Sequence, residues 1–286
     1  MAPVRTVGRA EPIGDVSARL GEGPRWDAAR QRLLWVDIEG EAVHVREAGG
    51  GERRVACGSM VGAVAPWAGD VVLAALTGAL AAVDLASGDV RPLESVPHPR
   101  PRMRCNDGAC DPAGRFWFGT MALNERPQAG ALYRYDPDGR LHTVLFGVSL
   151  SNGLGWDLAR RRMYFIDTPT LQVDVFDYDV QTGGIQRRRP FVRIPDGDGV
   201  PDGLAVDDEG GVWVALHGGS ELRRFSPDGV ADARVEVPED GATACAFGGE
   251  DGRTLFVTAR GGLYVVADAG VSGPPATPYA GSLPAT

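Results

Sequence analysis

The stretch Gly203-Leu-Ala-Val-Asp207, continued by Asp208-Glu-Gly210 and Gly211-Val-Trp-Val-Ala-Leu-His217, decides the fold. A short apolar run, a turn of acid and glycine, and a second apolar run centred on tryptophan spell a β-hairpin. The pattern recurs as Leu33-Leu-Trp-Val-Asp37, Val71-Val-Leu-Ala-Ala-Leu-Thr77, Arg115-Phe-Trp-Phe-Gly-Thr120, Arg162-Met-Tyr-Phe-Ile-Asp-Thr168 and Thr254-Leu-Phe-Val-Thr258. Each follows a turn signal, such as Asp111-Pro-Ala-Gly114 or Asp157-Leu-Ala-Arg160. The central residues Trp35, Leu73, Trp117, Tyr164, Trp213 and Phe256 are spaced by 38, 44, 47, 49 and 43 residues. A further strand and a second turn commonly follow, as in Leu132-Tyr-Arg-Tyr135 before Asp136-Pro-Asp-Gly139. Three or four strands per unit of about 45 residues, repeated about six times, predict an all-β fold, a six-bladed β-propeller. No linker breaks the rhythm, so residues 1–286 are read as one domain. The N-terminal segment, about residues 1–15, is expected to close the last blade, because an open ring would leave strand edges unpaired.

The composition narrows the chemistry. The 286 residues carry 29 basic and 38 acidic side chains, a formal net charge of −9, and every basic residue is arginine. Without lysine, a Schiff base, a Walker-type phosphate loop and a lysine general base are excluded. The 40 glycines and 21 prolines belong to turns and stay below the share at which disorder is the better reading. An acidic chain with no basic stripe argues against nucleic acid as a partner, and Arg187, Arg188 and Arg189 read as a solvated hairpin edge. Cys57, Cys105, Cys110 and Cys245 show no C-x-x-C spacing and the N-terminus lacks a signal-peptide run, so a cytoplasmic location with unpaired thiols is expected. The most apolar stretch, residues 71–85, is broken by Thr77, Gly78 and Asp84, too short to cross a bilayer. No membrane partner is expected.

In a propeller, the first strand of each blade lies nearest the central channel. Aligning the repeats at its leading end gives Glu22-Gly23, Val61-Gly62, Asp107-Gly108, Asn152-Gly153, Asp202-Gly203 and Ala244-Cys245. Four of the six repeats place a carboxylate or carboxamide at one station. Carboxylates crowded in a narrow channel raise each other's pKa, and a divalent cation relieves the repulsion; an all-oxygen set suits calcium, magnesium, manganese or zinc. Asp-Gly and Asn-Gly are also common turn dipeptides, but these precede apolar strands rather than joining two. Asp138-Gly139 and Asp228-Gly229 sit at strand ends and remain turns, and Asp196-Gly-Asp198-Gly199 lacks the ligand spacing of a calcium loop. There is no G-x-S-x-G and no H-E-x-x-H. The histidines His44, His98, His142 and His217 share no station, and His217, closing its strand, stands out. The segment Pro101-Arg-Met-Arg-Cys-Asn-Asp107 brings a cation beside the station, an arginine that would clamp a polyhydroxylated or anionic substrate or form half of a rim ion pair.

Leu20-Gly-Glu-Gly-Pro24, Arg104-Cys-Asn-Asp-Gly108, Asp111-Pro-Ala-Gly-Arg115, Gly119-Thr-Met121, Ser151-Asn-Gly-Leu154, Phe176-Asp-Tyr178 and Pro201-Asp-Gly-Leu204, in this order, resemble the regucalcin (senescence marker protein)/gluconolactonase family. The resemblance runs from about Leu20 to Tyr279. It implies a six-bladed propeller with one divalent cation in the channel (Ca, Zn, Mn or Mg), hydrolysing a sugar (aldono) lactone to the free sugar acid. It implies Glu22, Asn152 and Asp202 as metal ligands, Asp202 as general base, and Arg104 and Asn106 as substrate-binding residues. Asp107 would be a neighbour rather than a ligand. Some members carry a Glu-Glu pair shortly after Gly-Thr-Met, used at the substrate; here Leu123-Asn124-Glu125 stands instead. The acid is either displaced by one residue, with Asn124 and Glu125 at the substrate, or supplied differently, which leaves the sugar preference open and the reaction class unchanged. A small-molecule lactone is the expected partner, with the chain a monomer or small homo-oligomer. The same scaffold would also serve a metal-dependent esterase or phosphotriesterase, or a non-catalytic calcium-binding propeller.

Overall fold

The computed structural model describes residues 4–15, 17–97 and 102–283. Strands pair in sequence order into six sheets: residues 21–56, 61–95, 103–148, 151–193, 200–236 and 242–266, called blades 1 to 6. The innermost strands are Gly21–Asp27, Val61–Pro66, Met103–Cys110, Ser151–Asp157, Val200–Val206 and Ala242–Gly248. Each packs on those of its two neighbours, and the sixth on the first, so the sheets close a ring. This is the six-bladed, all-β propeller. Among the described residues the helical content is one 3-10 turn, Thr168–Thr170.

The N-terminal segment pairs with two blades. Glu11–Pro12 runs antiparallel to Gly262–Val266 as the fourth strand of blade 6. Arg5–Arg9 runs parallel to Ala231–Glu236 as a fifth strand on blade 5. The N-terminal segment therefore covers the outer edges of two adjacent blades.

The second strand of each blade is covered on both sides, which is why it reads as a near-continuous apolar run. In blade 5, Trp213 and Ala215 pack with Phe247 and Leu255 of blade 6, while Val212, Val214 and Leu216 pack with Tyr164 and Ile166 of blade 4. Trp35, Trp117, Tyr164 and Trp213 are 1 % exposed or less, so the repeated aromatics are core. The described cysteines are all free and buried. His44 stacks on Trp35 at 4.1 Å, and burial holds its pKa down at about 4. His98 lies outside the described residues. Arg187, Arg188 and Arg189 pair with Asp177 and Asp174 on the edge of blade 4, as expected of a solvated hairpin.

The aspartate at the turn after the inner strand latches the blade. In blade 3, Asp111 is fully buried and accepts hydrogen bonds from the backbone N–H groups of Ala113 and Arg115, from Trp117 Nε1 and from Tyr178 Oη of blade 4. Arg115 pairs with the same carboxylate and donates onward to the Val180 carbonyl. Asp207 repeats the arrangement with Trp213 Nε1 and Arg224 Nε.

Candidate active site

All six inner strands lose register against their second strands near the leading end, at Glu22/Arg25, Val61/Ala63, Cys105/Gly108, Ser151/Leu154, Pro201/Leu204 and Ala242/Ala244. A bulge re-aims the residues it contains. At these bulges, and five residues before the aspartates that end or follow the inner strands, Asp27, Asp111, Asp157 and Asp207, stand Glu22, Asn106, Asn152 and Asp202. Blades 2 and 6 have no such aspartate, and there the register shift itself encloses Gly62 and Thr243. The station in blades 2, 3 and 6 is thus one residue away from where the glycine-based alignment put it: Asn106 rather than Asp107 occupies it. Gly62 has a steric reason, since a Cβ there would stand 2.5 Å from the Asn106 carbonyl oxygen.

These side chains form one polar cluster. Asn106 Nδ2 donates to Asn152 Oδ1 at 2.7 Å and to the Ser151 carbonyl at 2.8 Å, while its own oxygen accepts from Arg104. Asn152 Nδ2 donates to Thr168 Oγ1 at 2.7 Å, and that hydroxyl donates to the Pro201 carbonyl at 2.9 Å, one residue before Asp202. Glu22, Asn106, Asn152 and Asp202 are all buried. Asp202 Oδ1 is buried and receives no hydrogen bond. Burial, and then the charge of Asp107, push the Glu22 carboxyl up to about 8, against the pull of the Gly23 N–H and of Arg104 and Arg25. Asp202 is held well above the ordinary carboxylate range by burial and by Glu22 and Asp107, with Arg104 opposing. Mutual repulsion between raised carboxylates, and an orphaned oxygen, are costs that a bound divalent cation would relieve. Among the described residues no three His, Cys, Asp or Glu groups converge as a metal cluster; here a carboxamide, Asn152, stands with the two carboxylates.

Two partners of this cluster carried no sequence signal. Arg25, three residues after Glu22, donates to Asp107 Oδ1 at 3.0 Å and to the Gly108 carbonyl at 2.7 Å, reaching past blade 2 into blade 3. Burial raises the Asp107 pKa, and Arg25 and the Gly108 N–H draw it back. Thr168, at the end of the second strand of blade 4, is the other.

The family model described as SMP-30/gluconolactonase/LRE-like region matches residues 20–261. The chain belongs to this family. Its relatives include a pentonolactonase, XacC of Haloferax volcanii, 37% identical over 252 residues (87% of this chain, 84% of the relative). Regucalcin of Gallus gallus is 35% identical over 296 residues, covering 96% of this chain and 99% of that one. Among solved structures, the calcium-binding protein regucalcin of Agrobacterium tumefaciens str. C58 superposes with a TM-score of 0.90 at 26% identity, over 98% of this chain and 99% of that one. A family match spanning all six inner-strand leading ends keeps the whole polar cluster within the family region.

Two residues suggested for substrate stand apart. Asn124 and Glu125 lie on the exposed loop between Phe116–Ala122 and Gly130–Tyr135, with no hydrogen bond or ion pair to the cluster. The loop leaves the strand one residue after the partner of Arg104, so it borders the same mouth. A cavity of about 380 Å³ lies at the opposite end of the inner strands, among Leu154, Trp156, Leu204, Val206 and Phe247, floored by Pro274 and Pro275. Asp157 and Asp207, which line it, accept hydrogen bonds from within the fold, from Arg160, Gly211 and Arg224. No helix among the described residues is long and apolar enough to cross a membrane.

Proposed function

We propose that this single-domain propeller is a lactonase that hydrolyses a sugar (aldono) lactone to the free sugar acid, with one divalent cation held by Glu22, Asn152 and Asp202. The observation that carries the reading is Asp202: a buried carboxylate, one oxygen without a donor, beside Glu22 and within the field of Arg104. Two carboxylates and a carboxamide suit calcium, magnesium, manganese or zinc, and the calcium-binding description of the Agrobacterium relative supports a divalent ion. Bound there, the ion would supply a Lewis acid for the lactone carbonyl and lower the pKa of a coordinated water.

The chain's own groups do the rest. Asp202 takes a proton from the attacking water as the new C–O bond forms, and returns one to the ring oxygen as the ester C–O bond breaks; the products are a carboxylic acid and a hydroxyl in one open chain. Arg104, half-buried and forked, offers N–H donors to substrate hydroxyls or to the carbonyl oxygen where negative charge develops. Asn106 has both ends of its amide engaged, which fixes it to hold Asn152 and Arg104 in place while a remaining lone pair accepts from a hydroxyl. Asn124 and Glu125 are assigned the outer rim of the substrate site. The pentonolactonase among the relatives supports a sugar-derived lactone.

The test is turnover by the chelated protein with calcium, magnesium, manganese and zinc restored singly, on aldonolactones and on paraoxon-like esters. Lactone hydrolysis that returns with a cation is expected. Cation binding without turnover would instead support a calcium-binding propeller, and preference for the esters a phosphotriesterase.

A further inference from the structure

We infer that His217 is a substrate-binding residue that sets sugar selectivity at the blade 5 side of the mouth; this rests on the lactonase reading above. The register supplies the position. In blade 4, Thr168 lies beside Leu150, two residues before Asn152, and its hydroxyl reaches both Asn152 and the inner strand of blade 5. In blade 5, His217 pairs with Val200, two residues before Asp202. His217 therefore holds the same place over Asp202 that Thr168 holds over Asn152.

The two residues differ in what they touch. Thr168 is saturated by its two hydrogen bonds, whereas His217 makes none among the described residues, and its Nδ1 is buried without a partner. The residue is half-buried, at the end of a strand whose odd-numbered side chains Trp213 and Ala215 face blade 6. Gly218 and Gly219 follow it, and Gly199 packs against its carbonyl, where a Cβ would stand 2.7 Å from the oxygen. Glycines on both sides leave the imidazole as the sole hydrogen-bonding side chain of that rim segment, residues 217–219. An unpartnered imidazole opposite the residue two before Asp202 on the neighbouring strand is a waiting donor or acceptor. Arg104 and Asn106 stand on blade 3, so a lactone held between them and blade 5 presents a ring hydroxyl to His217.

The experiment compares wild type, His217→Phe and His217→Gln on a polyhydroxylated aldonolactone and on unsubstituted δ-valerolactone, with thermal unfolding as a fold control. His217→Phe keeps a flat ring without hydrogen-bonding atoms. The preference in kcat/KM for the hydroxylated lactone is expected to fall about tenfold in His217→Phe, the scale of one lost hydrogen bond, carried mainly by KM. His217→Gln is expected to recover most of it. An active wild type whose preference is unchanged in a folded His217→Phe would overturn the inference alone. A cation-loaded wild type with no lactone turnover would overturn the functional reading and the inference together.

Discussion

The hydroxyl of Thr168 binds both candidate-ligand strands at once: it accepts from Nδ2 of Asn152 at 2.7 Å and donates to the carbonyl of Pro201 at 2.9 Å. By engaging the nitrogen end of the Asn152 amide, it dictates that Oδ1 is the end presented to the cluster. Metals are tuned by such supporting contacts, and their loss typically costs 10–100-fold in affinity. Thr168→Val, which keeps the branched shape without the hydroxyl, is expected to weaken divalent-cation binding by about that factor, with Thr168→Ser restoring it. Calorimetric titration of the chelated variants reads the result; wild-type affinity in Thr168→Val would show that Asn152 is oriented by something else.

Asp202 is asked both to hold the cation and to move a proton. Asp202→Asn keeps an oxygen for the ion and removes the base. At saturating cation, kcat on a cleaved aldonolactone is expected to fall by about 10²–10⁴, the range for a lost acid–base group. Wild-type kcat with the ion bound would return the proton transfer to another group.

The cation-free fold stores repulsion that pH should reveal. Glu22 has an ordinary value of 4.5 and stands at about 8 in the folded chain, and Asp202 and Asp107 are displaced in the same direction. Between those values the folded state keeps a proton that the unfolded chain has released, so its stability falls as pH rises. The depressed carboxyls, Asp84, Asp177, Asp179 and Asp268, act below their ordinary 3.8, whereas His44, held down from 6.5 to about 4 by burial, opposes the fall below 6.5 and leaves it clear above that. Denaturant melts of chelated protein from about pH 6.5 to about pH 8 should show a falling midpoint, and saturating calcium should flatten it. A midpoint that rises without cation would contradict the assigned burial.

The fold was readable because the ring repeats. Trp35, Trp117, Tyr164 and Trp213 mark the buried second strand, and the Asp-Pro-Ala-Gly type of turn marks the hairpin before it. The leading end of the inner strand was readable in three blades, where Glu22, Asn152 and Asp202 immediately precede glycine. Blade 3 misled that rule because Asn106 and Asp107 both precede Gly108; counting back from Asp111 identifies Asn106. The ion pair of Arg25 and Asp107 was not readable at all. It joins strands 82 residues apart across a blade whose own station is the side-chain-free Gly62, a relation that exists only once the ring is closed.

Asp111 offers a test of how far the blades depend on one another. Its carboxylate satisfies Trp117 Nε1 within blade 3 and Tyr178 Oη in blade 4, and pairs with Arg115, which itself reaches the blade 4 backbone at Val180. Asp111→Ala would leave two buried donors unmet and a cation without its partner, at a cost of about 3–5 kcal/mol. Asp111→Asn, which keeps the acceptor oxygen, should lose less. Because Tyr178 stands on the neighbouring blade, double-mutant cycles with Tyr178→Phe should show coupling, each change removing part of what the other would lose. Strict additivity in the denaturation free energies would mean that the latch acts within blade 3 alone.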